Sequence, residues 1–200
     1  SIDPEVVKKC DVTVIAIATI VLDAGHGGSD PGAVSSANTG SLKESDLNLQ
    51  QTLILGNILE SNGFNVIYTR DNKTSNPTLS ERATLANDIN ADLFISIHHH
   101  SATSSATGTE TLYYPDPEKK LFAQALLKAV VSQIGFYNRG IVERPGIVVT
   151  RETKMPSALV EVGFLTNKND LTLMMTDEFR QIVAQGILQG IINYLSGKTN

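Results

Sequence analysis

Two apolar runs in this chain each lead into histidine, and that pairing limits the folds open to it. The first, Val12–Leu22, runs straight into Asp23-Ala24-Gly25-His26-Gly27-Gly28. The second, Leu93-Phe94-Ile95-Ser96-Ile97, runs into His98-His99-His100. Short apolar runs bounded by turn residues read as buried strands. Parallel strands bring their C-terminal ends to one edge of a sheet, where loops remote in sequence meet. All 4 histidines follow such a run, so the pattern predicts one sheet edge that gathers imidazoles, as a metal site requires. Glycines on both sides of His26 permit a sharp turn and leave room beside the ring.

The rest of the chain alternates in the same way. A polar loop, Gly27–Lys43, is long for a compact domain, which marks it as functional. From Glu44, the residues Leu47, Leu49, Leu53, Ile54, Ile58 and Leu59 recur at helical spacing until Asn62-Gly63. Strands are expected over Phe64–Thr69, Leu93–Ile97, Thr109–Tyr114 and Ala158–Val162. Helices are expected over Leu79–Asn90, Pro117–Ile134, Asp170–Met175 and Asp177–Leu195. Ala102–Thr107 is a small-residue loop, and Ile141–Val142 and Gly146–Thr150 read as short extended pieces. This order predicts a single α/β domain with a twisted, mostly parallel central sheet and helices on both faces.

Bulk properties exclude several classes. Two hundred residues with 41% apolar content make one ordinary globular domain. The net charge of −5, with no block of Lys or Arg, argues against nucleic acid as a partner. Val12–Leu22 has 11 residues, too few to span a bilayer, so no membrane insertion is expected. Lys8-Lys9 before it resembles the start of a signal peptide, but no small-residue cleavage site follows. The single cysteine, Cys10, cannot close an internal disulfide.

A catalytic zinc site needs three protein ligands and an open position, and with cysteine remote the third ligand falls to a carboxylate. Glu44 is the candidate. Ser41-Leu42-Lys43-Glu44 also has the form of a capping box, in which the glutamate reaches back to the helix start. Glu161 lies in the apolar run Ala158-Leu159-Val160-Glu161-Val162, where it either forms a salt bridge or faces a site, since glutamate is almost never buried unpaired. Asp23 either orients a ligand or caps the turn. Glu110 reads first as a structural strand residue.

Taken together, Asp23-Ala24-Gly25-His26-Gly27-Gly28, Lys43-Glu44, Ser96-Ile97-His98 and Glu161-Val162-Gly163-Phe164-Leu165-Thr166-Asn167 resemble, in order, the zinc-dependent N-acetylmuramoyl-L-alanine amidases of the amidase type 3 family. Tyr68-Thr69-Arg70, the segment from Leu79-Ser80-Glu81-Arg82 to Ala86-Asn87, and Thr153-Lys154-Met155-Pro156 agree, and the likeness covers about Thr19 to Leu195. The resemblance implies one zinc ion held by His26, Glu44 and His98, with Glu161 as the catalytic carboxylate. It implies cleavage of the amide between N-acetylmuramic acid and L-alanine of the peptidoglycan stem peptide, outside the cell at the wall. Many relatives carry asparagine where this chain has His100, which leaves His99 and His100 as rival ligands; the Ser-Ile-His register favours His98. Some relatives also carry a site-blocking helix after the strand matching Thr109–Tyr114, where this chain has only Pro115-Asp116.

The expected division is a lead-in over 1–11, a zinc amidase domain over 12–197 and a tail over 198–200. The loops Gly27–Lys43 and Ala102–Thr107 are the expected walls of the substrate groove. The acidic charge gives little attraction to an anionic wall, so a separate wall-targeting module is expected elsewhere in the full-length protein. The competing readings are another zinc amide hydrolase, such as a carboxypeptidase or deacetylase, and a non-catalytic wall-binding domain.

Overall fold

The computed structural model describes residues 18–35 and 41–197. The expected lead-in, Cys10, positions 12–17 of the first strand and the tail lie outside the described residues. Six strands form one sheet: β1 (Thr19–Ala24), β2 (Asn65–Tyr68), β3 (Leu93–His100), β4 (Thr109–Tyr113), β5 (Asn138–Glu143) and β6 (Ser157–Phe164). Their order across the sheet is β2-β1-β3-β6-β4-β5. β2, β1, β3 and β6 are mutually parallel, while β4 runs antiparallel to β6 and parallel to β5.

Alternation along the strands sends side chains to two cores. Ile20 and Leu22 of β1 join the larger core with Leu55 and Leu59 of α1 (Glu44–Ser61). Phe122 and Leu126 of α3 (Pro117–Ile134) and Val183 and Ile187 of α6 (Asp177–Leu195) complete it. Val21 and Phe94 face the other way, against Ala86 of α2 (Leu79–Asp88) and Val149 of α4 (Val148–Glu152). Helices therefore cover both faces, as the alternating pattern predicts. α5 (Lys168–Met174) follows β6 directly.

Several elements differ from expectation: β5 and β6 are longer than the pieces expected at Ile141–Val142 and Ala158–Val162, and two differences bear on the site. β3 does not stop at Ile97 but runs on through His100, because β6 pairs with it as far as His100↔Phe164. Gly146–Thr150 is not extended: the β-branched Val148-Val149-Thr150 enter the short helix α4. The buried Lys119 ammonium donates to the carbonyls of Thr150 (2.6 Å) and Thr153 (2.7 Å), so a tertiary contact overrides local strand preference.

Candidate metal and catalytic site

The site begins with backbone held against its own preference. His26 has φ 61, in the left-handed region where a side chain costs on the order of 1–3 kcal/mol. Two buried guanidiniums hold this turn by its carbonyls. Arg70 donates to Ala24 O (2.8 Å) and Gly25 O (2.9 Å), and Arg82 to Ala24 O (2.8 Å) and His26 O (2.9 Å). Arg82 is itself anchored on the Asp23 carboxylate at 2.7 Å. Asp23 also accepts from Thr69 and Ser96, each at 2.6 Å. Burial alone would raise its pKa, but Arg82 and the two hydroxyls hold it below the usual carboxylate value. Asp23 therefore neither caps the turn nor touches a histidine; it fixes Arg82, one of the two arginines that hold the turn.

Glu44 is the first residue of α1, and the capping box expected for it does not form. The loop does that work instead: Ala33 O accepts from Glu44 N (2.8 Å) and Pro31 O from Ser45 N (3.1 Å). With those amides satisfied, the Glu44 side chain turns to the sheet edge. Its Oε1 lies 2.9 Å from His98 Nδ1 and its Oε2 lies 3.3 Å from His26 Nε2. Ligand atoms of His26, Glu44 and His98 all fall within 4.8 Å of one another. The sequence thus points to the three side chains that the fold brings together.

Electrostatics at this point favours positive charge. Burial would raise the Glu44 pKa, yet hydrogen bonds from His26 and His98 hold it well below the carboxylate range. His26 is pushed up to about 9, first by its hydrogen bond to Glu44. Its other nitrogen, Nδ1, faces Asp30 Oδ2 at 2.8 Å, which orients the ring. Asp30 went unremarked in the sequence; its only signal was a carboxylate four residues beyond His26 in a glycine-rich loop.

The consecutive histidines separate by strand geometry. Successive side chains alternate between faces, so His98 and His99 point to opposite sides. His99 is buried with Nδ1 2.7 Å from Asn48 Oδ1, and burial lowers its pKa to about 3. Asn48 in turn donates to Gly25 O (3.1 Å) and Glu44 Oε1 (3.3 Å), tying that histidine to the framework of the site. His100 packs against Phe164 with ring centroids 4.8 Å apart. Neither His99 nor His100 belongs to the group that could hold a metal.

Glu161 stands directly beside His98 in the β3–β6 register and is only 8% exposed. Its Oε2 finds no hydrogen-bond partner. Burial raises its pKa to about 7. The salt bridge offered as its structural alternative does not form among the described residues. Glu110, opposite it on β4, does take such a bridge, to Arg139 at 2.9 Å.

A cleft of about 470 Å³ opens beside His26 and His98, lined by Asn76-Pro77-Thr78-Leu79 and by Gly146-Ile147-Val148-Val149. Asp30 lines it too, as expected of its loop, but Ala102–Thr107 does not. α4 is the wall in its place, a consequence of the helix that local sequence hid.

The chain is similar to known proteins over most of its length. The family model described as N-acetylmuramoyl-L-alanine amidase matches residues 20–193. YqiI of Bacillus subtilis (strain 168) is 37% identical over 179 residues, covering 88% of this chain and 84% of that protein. The probable cell wall amidase LytH of Staphylococcus aureus is 35% identical over 178 residues, covering 89% of this chain but only 58% of LytH. Among solved structures, the N-acetylmuramoyl-L-alanine amidase from Clostridium difficile 630 has a TM-score of 0.86 at 36% identity, covering 92% of this chain and 100% of that one. The catalytic domain of CwlV from Bacillus (Paenibacillus) polymyxa var. colistinus has a TM-score of 0.83 at 35% identity, covering 90% and 98%. A match across this much of the fold, with the motifs meeting at one sheet edge, means that the chain belongs to the N-acetylmuramoyl-L-alanine amidase family.

Proposed function

We propose that this protein is a zinc-dependent peptidoglycan hydrolase that cleaves the amide between N-acetylmuramic acid and L-alanine of the stem peptide. In this reading His26, Glu44 and His98 hold one zinc ion, and Glu161 moves the proton. The observation that carries it is the approach of the three ligand atoms to within 4.8 Å, with Glu161 next in register to His98. Two imidazoles and a carboxylate are a donor set that suits zinc and leaves a coordination position open. Asp30 on His26 Nδ1 adds the outer carboxylate common around zinc-bound histidine.

Bound there, zinc supplies Lewis-acid chemistry, making water acidic and polarising a carbonyl. Glu161 accepts a proton from the attacking water and passes it to the departing L-alanine nitrogen. A carboxyl group whose pKa lies near 7 serves both steps at neutral pH. Arg82 holds His26 by its own carbonyl and Arg70 holds the carbonyls of Ala24 and Gly25 before it, and Asn48 steadies Glu44 and the Gly25 carbonyl. The open cleft along α2 and α4 admits a polymer better than a closed pocket would.

The substrate sets the place of action: outside the membrane, at the wall. No described helix is long and apolar enough to cross a membrane. With a net charge of −5 the domain has little pull on an anionic wall, so attachment by a separate targeting module is part of this reading. Mass spectrometry of fragments released from purified peptidoglycan tests it. Free stem peptides beginning at L-alanine, absent after chelation, are expected. Cleavage of other bonds by the zinc-loaded protein would favour the carboxypeptidase or deacetylase alternative, and zinc-free binding without cleavage the wall-binding one.

A further inference from the structure

Two carboxylates face each other next to the proposed zinc site. Glu161 on β6 and Glu110 on β4 are directly opposite in an antiparallel pair, so both side chains rise from the same face of the sheet. Both are nearly withdrawn from water, at 8% and 7% exposure. Like charges in such a pair destabilise it, and low dielectric sharpens the effect. The chain nevertheless supplies one guanidinium to the pair and commits it to Glu110.

The commitment is built into the backbone. Thr109 pairs with Asn138 and Thr111 with Ile141, so two residues of β5, Arg139 and Gly140, oppose Glu110 alone. Such a bulge re-aims the side chain it carries. Gly140 sits at φ 88, and its amide donates to Asn138 Oδ1 at 2.9 Å, which fixes the bulge. Arg139 is thereby laid over the Phe164 ring, 4.9 Å from its centroid, with Nε 2.9 Å from Glu110 Oε2. Glu110 stands between Arg139 and Glu161, and Glu161 Oε2 stays without a partner.

We propose that Glu110 is a positioning residue for amide hydrolysis, holding Arg139 so that the Glu161 carboxylate stays unpaired and free to carry a proton. The proposal rests on the reading of Glu161 given above. Without Glu110 the guanidinium has one buried carboxylate left within the row, and it is the one the reaction needs. An Arg–carboxylate bond there would hold the lone pairs that must take the proton.

Steady-state hydrolysis of soluble muramoyl-peptide by the zinc-loaded protein, with zinc content and Tm, tests this. Glu110→Gln is expected to lower kcat at least about tenfold, toward the roughly 10²–10⁴-fold range of a proton-moving side chain. KM and zinc content should hold. Glu110→Gln combined with Arg139→Gln should regain most of the lost kcat, which a merely structural ion pair or a direct role of Glu110 on substrate would not allow. Glu110→Ala provides a second carboxylate-free form should the glutamine variant fail to fold. A wild-type kcat in either single variant, or a double variant as slow as the single, overturns the proposal. Turnover retained by Glu161→Gln would instead overturn the reading beneath it, whatever the Glu110 variants do.

Discussion

Gly25 leaves open the space that the His98 imidazole fills: a methyl group on Gly25 would collide with the His98 ring. The two residues are neighbours across the β1–β3 edge, just past the Ala24↔Ile97 pair. Glycine is required here for the ring that packs on it. Gly25→Ala is therefore expected to displace His98, losing bound zinc and hydrolysis together while the helical and strand content persists. Metal analysis beside circular dichroism checks this; full zinc occupancy in the variant would count against it.

The ligands and the proton carrier separate by substitution. Glu161→Gln should keep stoichiometric zinc and lose about 10²–10⁴-fold in turnover. His26→Ala should lose both. Loss of zinc from the Glu161 variant would make that residue a ligand or a structural support.

Asp30 meets His26 at its outer nitrogen and accepts from Gly32 N (3.0 Å) with its other oxygen, so its removal should leave the ligand set intact but loosely aimed. Asp30→Asn is expected to weaken zinc affinity about 10–100-fold. Competition with a chelator of known affinity measures it, and an unchanged affinity would remove Asp30 from the site.

The Asp23–Arg82 pair makes stability depend on acid. Arg82 and the two hydroxyls hold Asp23 below the usual carboxylate value in the folded protein. A carboxylate depressed on folding contributes stability above its unfolded pKa, about 3.9, and loses it as pH falls through the folded value. Asp23→Asn should thus be less stable than wild type at pH 7, with the gap closing below about pH 4. Arg82→Ala, which strands a buried charge, should cost about 3–5 kcal/mol. Thermal unfolding of metal-free protein at several pH values reads both, and a gap independent of pH would contradict the assignment.

Only Tyr114, Pro115 and Asp116 join β4 to α3, leaving no segment there to fold over the cleft. Product formation by the isolated protein should be linear from time zero. A lag removed by an added activator would show that some other element covers the site.

Much of the fold was legible because its signals are local. α3 and α6 lie over the spans expected of them. Asp116 caps α3 through its carboxylate, and Thr176 caps α6 through its hydroxyl. α4 was not legible, since Val148-Val149-Thr150 favour a strand and the Lys119 ammonium that holds the helix comes from α3. The capping box, the alternative weighed for Glu44, does not form for a related reason. Its backbone amides find partners in the Pro31–Ala33 loop, a contact that no short window of sequence contains.

By itself the sequence determined which residue types meet: strand ends carrying His26 and His98, a carboxylate at each return, and glycine where a ring must pack. Those follow from hydrophobic periodicity and from glycine's freedom, both written residue by residue. The tertiary structure alone decided the role of each. Strand pairing sent His98 toward Glu44 and His99 toward Asn48, since a one-residue step reverses the face. A bulge in β5 gave Arg139 to Glu110 and left Glu161 unpaired. Whether a carboxylate is neutralised or free depends on its neighbours in space, and those come from strands far apart in the chain.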